Sequence, residues 1–436
     1  MSKMNKVQEL KTLSIIGGGI GGCTTALEMA KTGKYKITIY EKQSELMRES
    51  SDATPGRMGL GFHYADKETA VYYLHATLEF TKKFGHFRQE CDRVSSHPMR
   101  RGRYFIMKDS LVPKDDILKT YDAVKDEYAS IIRRDASFQL FGPPDDFYRI
   151  LQPHEYADDV QIEKVDIGIE TAEELLGWAS FRIFILNEIE KYSNFISIRT
   201  NTEVLAIQSV GRCSYLLQSK WGRETATTSH TDIIVNASWY NISKFNEMLG
   251  VPDVRRCNRV KAIATVQLPD DLFDAPCMFF CMGSFCMFSN KGNGIGMLTY
   301  SPETNLALSS SSDFEQEMWD TFFNVSDAEK TRKGEKIIAG VTKFIPKMKD
   351  AKLLKTGYGV IQTLMDEDTM DFGFQIGNLD FIHDPKTGGI YKRNYSGVSL
   401  GRAGYVVNSC MKLLYCFQNA ELVRSFVEEN IIEWKL

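Results

Sequence analysis

The chain has 436 residues, enough for two domains that each bury a core. Lysine and arginine total 53 against 57 aspartates and glutamates, so no basic excess exists to meet a nucleic-acid backbone. No apolar leader precedes the first apolar run, no stretch of about 20 apolar residues occurs, and the nine scattered cysteines read as reduced thiols; a cytoplasmic protein with no membrane span is expected.

In chain order, Leu13–Ile16 reads as a buried strand, followed at once by Gly17-x-Gly19-x-x-Gly22. A helix is expected over Thr24–Lys31, then a second strand, Ile37–Tyr40, ending on Glu41. That order of strand, glycine turn, helix, strand and acid marks a dinucleotide-binding unit. Gly17 permits the tight turn, Gly19 admits a pyrophosphate, and Gly22 lets helix and strand pack closely. The helix N-terminus presents amides to phosphate, and Glu41 suits ribose hydroxyls. Ile20, Gly21 and Lys42 complete this expected contact set.

Residues 42–66 form a long Ser-, Gly- and Asp-rich loop containing Ser50–Tyr64, and long loops in compact domains are usually functional. Helices are expected over 67–92, opened by Asp66, and over 114–133, with a strand at Arg103–Met107 between them. Thr171–Glu174 reads as a capping sequence for a helix through Trp178 to about Tyr192. Two short strands follow in Ile196–Ile207, then a buried parallel strand within Thr231–Ser238. From about 258 to 300 the pattern is antiparallel, with a turn at Gly283-Ser284; residues 312–352 return to helix. A Gly-rich turn, Gly397–Gly404, precedes a C-terminal helix from about Val406. The fold class is therefore α/β: a discontinuous Rossmann-like domain (8–75, 155–245 and 372–436) with an inserted α+β substrate domain (76–154 and 246–371) on a mostly antiparallel sheet.

This layout resembles the D-amino-acid oxidase superfamily of FAD-dependent oxidoreductases. The matching residues are the fingerprint with Glu41, the loop end Gly59–Tyr64, Thr202-Glu203-Val204, the Asp232–Ser238 strand, and Gly401-Arg402-Ala403-Gly404. The resemblance implies FAD at the fingerprint, at Arg57, Met58 and Gly59 of the loop, at Val204 beside the adenine, and at Ala237. It also implies flavin contacts from Gly401, Arg402, Gly404, Tyr405 and Val406, the last three opening the final helix. The chain departs from the family at Ser238-Trp239, where glycine is common after the alanine, and at Arg402 in the late turn. No attachment cysteine is recognisable, Cys410 falling one turn into the expected helix, so the FAD is expected to be non-covalent.

The activity implied is oxidation of a C–N or C–O bond of a small amine, amino acid or hydroxy acid by hydride transfer to flavin N5, with O2 or another carrier as electron acceptor. Catalytic candidates are His63 and Tyr64 on the loop, Arg402, and Tyr104 on the strand opened by Arg100–Arg103. The small-molecule substrate is expected against the Gly59–Tyr64 loop, the turn at Arg402 and the sheet of the inserted domain. Each candidate also has a structural reading. Arg57 can be a solvated loop charge, His63 a hydrogen-bonded loop residue and Arg402 a salt-bridge partner. Arg100–Arg103 can be a basic sheet edge, and Cys277–Phe288 a core hairpin rather than a substrate wall. The histidines and cysteines lack metal-ligand spacing, so no metal is expected. Two other functions stay open: a flavin monooxygenase or halogenase, although its Gly-Asp-Ala motif is missing from the late turn, and a flavin-binding interaction protein.

Overall fold

The computed structural model describes residues 10–88, 102–252, 256–283, 286–309, 318, 320–321, 324–364 and 395–433. They fall into two compact units. The first takes the described parts of Met1–Ser51, Arg182–Asp253 and Ser396–Leu436; the second takes those of Asp52–Phe181 and Val254–Tyr395.

In the first unit, six strands form one sheet in the order Val398–Arg402, Tyr405–Asn408, Ile233–Asn236, Lys11–Ile16, Tyr35–Tyr40, Ile196–Arg199. All neighbours are parallel except the edge hairpin Val398–Asn408. Leu13, Ile15, Ile37, Ile39 and Ile233–Val235 are buried, the near-continuous apolar runs that a parallel sheet covered on both faces requires. The helix Ile20–Ala30 is buried along its whole length. Thr202–Gly211, Ser214–Trp221 and Thr227–Thr231 form a separate antiparallel sheet.

The final helix departs from expectation. It is Cys416–Glu433, whereas Tyr405–Asn408 is a strand in parallel register with Ile234–Asn236. The β-branched pair Val406-Val407 sits well on a pleated surface, and Gly404 (φ +76°) makes the tight hairpin turn before it. Cys410 therefore lies outside any helix, at φ +36°.

The second unit is built on a mixed sheet ordered Asn305–Ser309, Arg256–Gln267, Ile295–Tyr300, Cys286–Gly292, Met278–Cys281, Arg103–Met107, Val165–Thr171, Tyr148–Leu151, with Lys352–Leu364 also paired to Arg256–Gln267. Only Met278–Cys281 with Arg103–Met107 is parallel among the described pairs. One face packs Phe105, Phe280, Phe288 and Leu298 against Ile337 and Val341 of the helix Asp327–Thr342. By alternation, Tyr104, Phe279, Ser289 and Lys291 line the other face. The helix Lys67–Phe84 opens as expected, Asp66 accepting from the Thr69 amide at 2.8 Å; Lys114–Arg134 forms the next helix.

Thr171–Glu174 does not cap a helix. Thr171 ends a strand and donates its hydroxyl to Gly102 O, while Glu174-Leu175 pairs with Arg57-Met58. The helix begins at Trp178. These pairings put residues 52–75 and 155–181 in the second unit, although the sequence grouped them with the nucleotide domain, and residues 246–252 in the first. Arg100, Arg101, Ser284, residues 89–92 and the boundary at 372 lie outside the described residues. No described helix is long and apolar enough to cross a membrane.

Gly22 and Gly19 make different demands. A Cβ on Gly22 would overlap the Gly17 carbonyl, whereas one on Gly19 would meet only Ser51 Oγ at 3.4 Å. Gly22→Ala should therefore cost about 1–3 kcal/mol in urea unfolding, and Gly19→Ala should stay within about 0.5 kcal/mol of wild type.

Candidate cofactor cradle and active-site loop

The chain leaves the Lys11–Ile16 strand through Gly17 (φ +103°), where any side chain would strike Ala237 O. The amides of Gly18 and Gln43 each donate to the Glu41 carboxylate, at 2.8 Å. Burial pushes the Glu41 carboxyl above its usual range, while these two amides and Lys42 pull the other way. A carboxylate has about four acceptor sites, so both oxygens keep capacity for ribose hydroxyls. Gly19 leaves room in front of the Ile20–Ala30 helix, whose first turn carries no acidic side chain. Ile20 N donates to Ser51 Oγ at 3.0 Å, and the Gly21 and Gly22 amides stand ahead of the first intrahelical bond, Cys23 N to Gly19 O. Room, amides and helix dipole together fit a pyrophosphate, and Glu41 beside them fits the ribose of FAD.

Gly21 serves packing instead, since its Cβ would lie 2.7 Å from that of Cys410. Asn408 secures this contact, donating to Thr25 Oγ1 at 3.1 Å and accepting from Asn419 Nδ2 at 3.0 Å. Lys42 pairs with Glu49 at 3.0 Å, reaches the Tyr240 hydroxyl and lies 4.8 Å over that ring. Glu49 and Tyr240 were not legible as the partners of Lys42; their only signal is nearness in sequence to Glu41 and to Ser238-Trp239. Ser238 keeps an ordinary φ of −78° and bonds Asn236 Oδ1 at 2.6 Å, so the family glycine is not needed there. Trp239 takes the positive φ, +59°.

In the second unit, residues 52–65 are held along their backbone by side chains from several elements. Lys291 Nζ donates to Pro55 O at 2.9 Å, Thr77 Oγ1 to Gly59 O at 2.5 Å, Tyr121 OH to Phe62 O at 2.6 Å and Thr120 Oγ1 to Ala65 O at 2.8 Å. Leu60 N donates to Glu173 Oε1 at 2.6 Å. Arg57 stacks 4.3 Å over Phe279 and donates from Nη1 to Tyr104 OH at 2.9 Å. Tyr104 OH in turn donates to Glu173 Oε2 at 2.6 Å, and Arg57 Nε lies 3.9 Å from that oxygen. Burial opposes the Arg57 charge, but Tyr104 and Glu173 more than offset it; burial raises the Tyr104 phenol well above its usual range.

The expected site residues thus separate. Met58, Gly59 and Tyr64 are buried in the loop, and Tyr64 stands edge-on to Tyr73 at 5.6 Å. His63 is only partly buried, so of the two loop candidates it reaches the surface. Tyr104 has no exposed surface and its hydroxyl is engaged as both donor and acceptor. Arg103 is ion-paired with Asp159 at 3.4 Å. Val204 is buried in the antiparallel sheet opposite Ser219. Arg402 is exposed and donates to Leu249 O at 3.2 Å, at the end of the helix Ile242–Met248, where a cation satisfies a free carbonyl. Gly401 packs against the Tyr405 ring. Gly404, Tyr405 and Val406 belong to a buried hairpin and present no helix N-terminus, which corrects that expectation. Glu173 and Lys291 were not singled out: Glu173 reads as part of a helix-capping sequence, and Lys291 falls unmarked in the antiparallel stretch.

Burial pushes the Lys291 ammonium down to about 8. The unfolded chain holds that proton to about 10.4. Between these values the unfolded state binds more protons, so stability should rise with pH. Wild type should gain on the order of 1–3 kcal/mol relative to Lys291→Gln between pH 7.5 and 10.5, read as the difference in urea unfolding free energy.

No curated protein matches the sequence significantly. Solved structures do share the fold. Glycine oxidase from Geobacillus kaustophilus superposes with a TM-score of 0.62 at 14% identity, over 96% of this chain and 94% of that one. L-alpha-glycerophosphate oxidase from Mycoplasma pneumoniae, with FAD bound, gives 0.62 at 15% identity over 96% and 95%. L-amino acid deaminase from Proteus vulgaris gives 0.63 at 13% over 96% and 94%. The family model for FAD-dependent oxidoreductases matches residues 13–408, nearly the whole chain, and the protein belongs to that family.

Proposed function

We propose that the protein oxidises a C–N or C–O bond of a small amine, amino acid or hydroxy acid. The observation that carries this reading is the cradle at Gly19, open to a pyrophosphate and joined to Glu41, in a chain of this family. The fold relatives named above, which by their names oxidise glycine or glycerophosphate or deaminate L-amino acids, support the substrate range. Two buried or half-buried cations in the second unit, Arg57 and Lys291, suit substrates that bear a negative charge.

Bound FAD supplies the two-electron acceptor. The protein's residues hold and orient. Gly17, Gly19, Ile20 and Gly22 shape the pyrophosphate site, Glu41 and Lys42 face the ribose side, and Val204 and Ala237 serve the adenosine half. Arg57, Met58 and Gly59 are the loop contacts. His63 orients the substrate or takes its proton, having the exposure that Tyr64 lacks. Arg402 contributes positive charge near the flavin end. The attachment is non-covalent, and the electron acceptor is O2 or another carrier.

Anaerobic addition of amino acids, amines and hydroxy acids to the purified protein tests this. One class should bleach the flavin absorbance, and bleaching by none of them would remove the proposal. Acid precipitation should leave the yellow colour in the supernatant. Gly19→Val should keep its fold by circular dichroism yet purify colourless, because the side chain fills the cradle without striking backbone.

A further inference from the structure

We infer that Glu173 is the positioning residue of the active-site loop, fixing the Leu60 backbone and orienting the Arg57 guanidinium through Tyr104. The inference rests on the proposed contact of the Arg57–Gly59 segment with FAD.

The two carboxylate oxygens have different tasks. Oε1 accepts from Leu60 N and Oε2 from Tyr104 OH, both at 2.6 Å. The Tyr104 oxygen then accepts from Arg57, so one acid sets a relay of three side chains. The backbone around Glu173 ties the same parts together. Its carbonyl accepts from Gly102 N at 3.1 Å, just before the Arg103–Met107 strand that carries Tyr104. The next two residues, Glu174 and Leu175, pair with Met58 and Arg57. Gly59 passes so close that a Cβ there would lie 3.4 Å from Glu173 Oε1 and nearer still to Tyr73.

Glutamate suits this place for a chemical reason. Glutamine has one carbonyl oxygen and one NH2 group. If its oxygen serves Leu60, its NH2 faces a phenol that already receives a hydrogen bond from Arg57, and the relay has no acceptor at its end. The Arg57 cation then also loses its counter-charge in a site only 10% exposed. Aspartate is one methylene shorter and cannot span both donors from the same backbone position.

The test uses the FAD-loaded protein and two variants, Glu173→Gln and Tyr104→Phe. Visible circular dichroism of the bound flavin reports its surroundings, and fluorescence titration reports FAD affinity. Both variants should alter the flavin dichroism. Glu173→Gln should weaken FAD binding at least about tenfold, the scale of a lost charge-assisted hydrogen bond. The double variant should go no further than Glu173→Gln, because both act on one relay. Ile337→Ala, in the core of the opposite sheet face, is the control for a merely structural role: it should lower the melting temperature and leave the flavin dichroism unchanged. Unchanged dichroism and affinity in folded Glu173→Gln would overturn the inference. If that variant does not fold, unchanged dichroism in Tyr104→Phe overturns it instead. Wild type that binds no FAD refutes the underlying reading, a distinct result from wild type that binds FAD while the variants bind it equally.

Discussion

The first unit depends on one close approach. The Ile20–Ala30 helix can lie on the Lys11–Ile16 strand only because Gly22 has no Cβ to strike the Gly17 carbonyl. With that approach made, the helix buries every residue and points its N-terminal amides at the strand ends. Its first turn then packs Gly21 against Cys410, which fixes the segment after the Tyr405–Asn408 strand. Four glycines thus do three jobs. Gly17 turns the chain, Gly22 and Gly21 admit backbone or side chain at short range, and only Gly19 keeps space for something outside the fold. A glycine fingerprint mixes folding and binding constraints, and the atoms a Cβ would meet tell them apart.

The loop of the second unit follows a different principle. Residues 52–65 bury Met58, Leu60, Phe62 and Tyr64, and the backbone polar groups carried in with them must be satisfied by partners brought to them. The partners come from the helices Lys67–Phe84 and Lys114–Arg134, from the strand Cys286–Gly292 and from Glu173. Charges are chosen sparingly. Arg57 is answered by Glu173 across a phenol, whereas Lys291 meets a carbonyl dipole and gives up part of its basicity to burial.

Much of this was legible in the sequence where local rules decide. The Arg103–Met107 strand, the Asp66 cap and the first βαβ unit follow from periodicity and side-chain chemistry close along the chain. The errors fell where partners distant in sequence decide. Thr171–Glu174 satisfies a capping pattern, yet Gly102, 69 residues earlier, and Arg57-Met58, earlier still, claim it as sheet and relay. Tyr405–Val407 follows a glycine turn as a helix start would, yet the exposed edge of Ile233–Asn236 offers it a parallel partner. Tyr104 drew a catalytic reading from its place on the sheet expected to cover the substrate; its hydroxyl is held between a buried arginine and a buried glutamate, neither of which is near it in sequence.

The same contrast explains which candidate residues remain available for chemistry. A side chain whose polar atoms are all engaged inside the protein transmits geometry but cannot also receive a substrate atom without breaking a bond it already has. Tyr104 is in that position, with its single hydroxyl donating to Glu173 and accepting from Arg57. Arg57 is not, because a guanidinium offers five N–H donors and only Nη1 is committed to the phenol. His63 keeps partial exposure on a loop whose flanking carbonyls, at Phe62 and Ala65, are pinned by Tyr121 and Thr120. A reactive group is most useful where its own atoms are accessible and the backbone on either side is fixed. By that criterion rigidity in the second unit belongs to Glu173, Tyr104 and Tyr121, which hold the loop that carries Arg57 and His63.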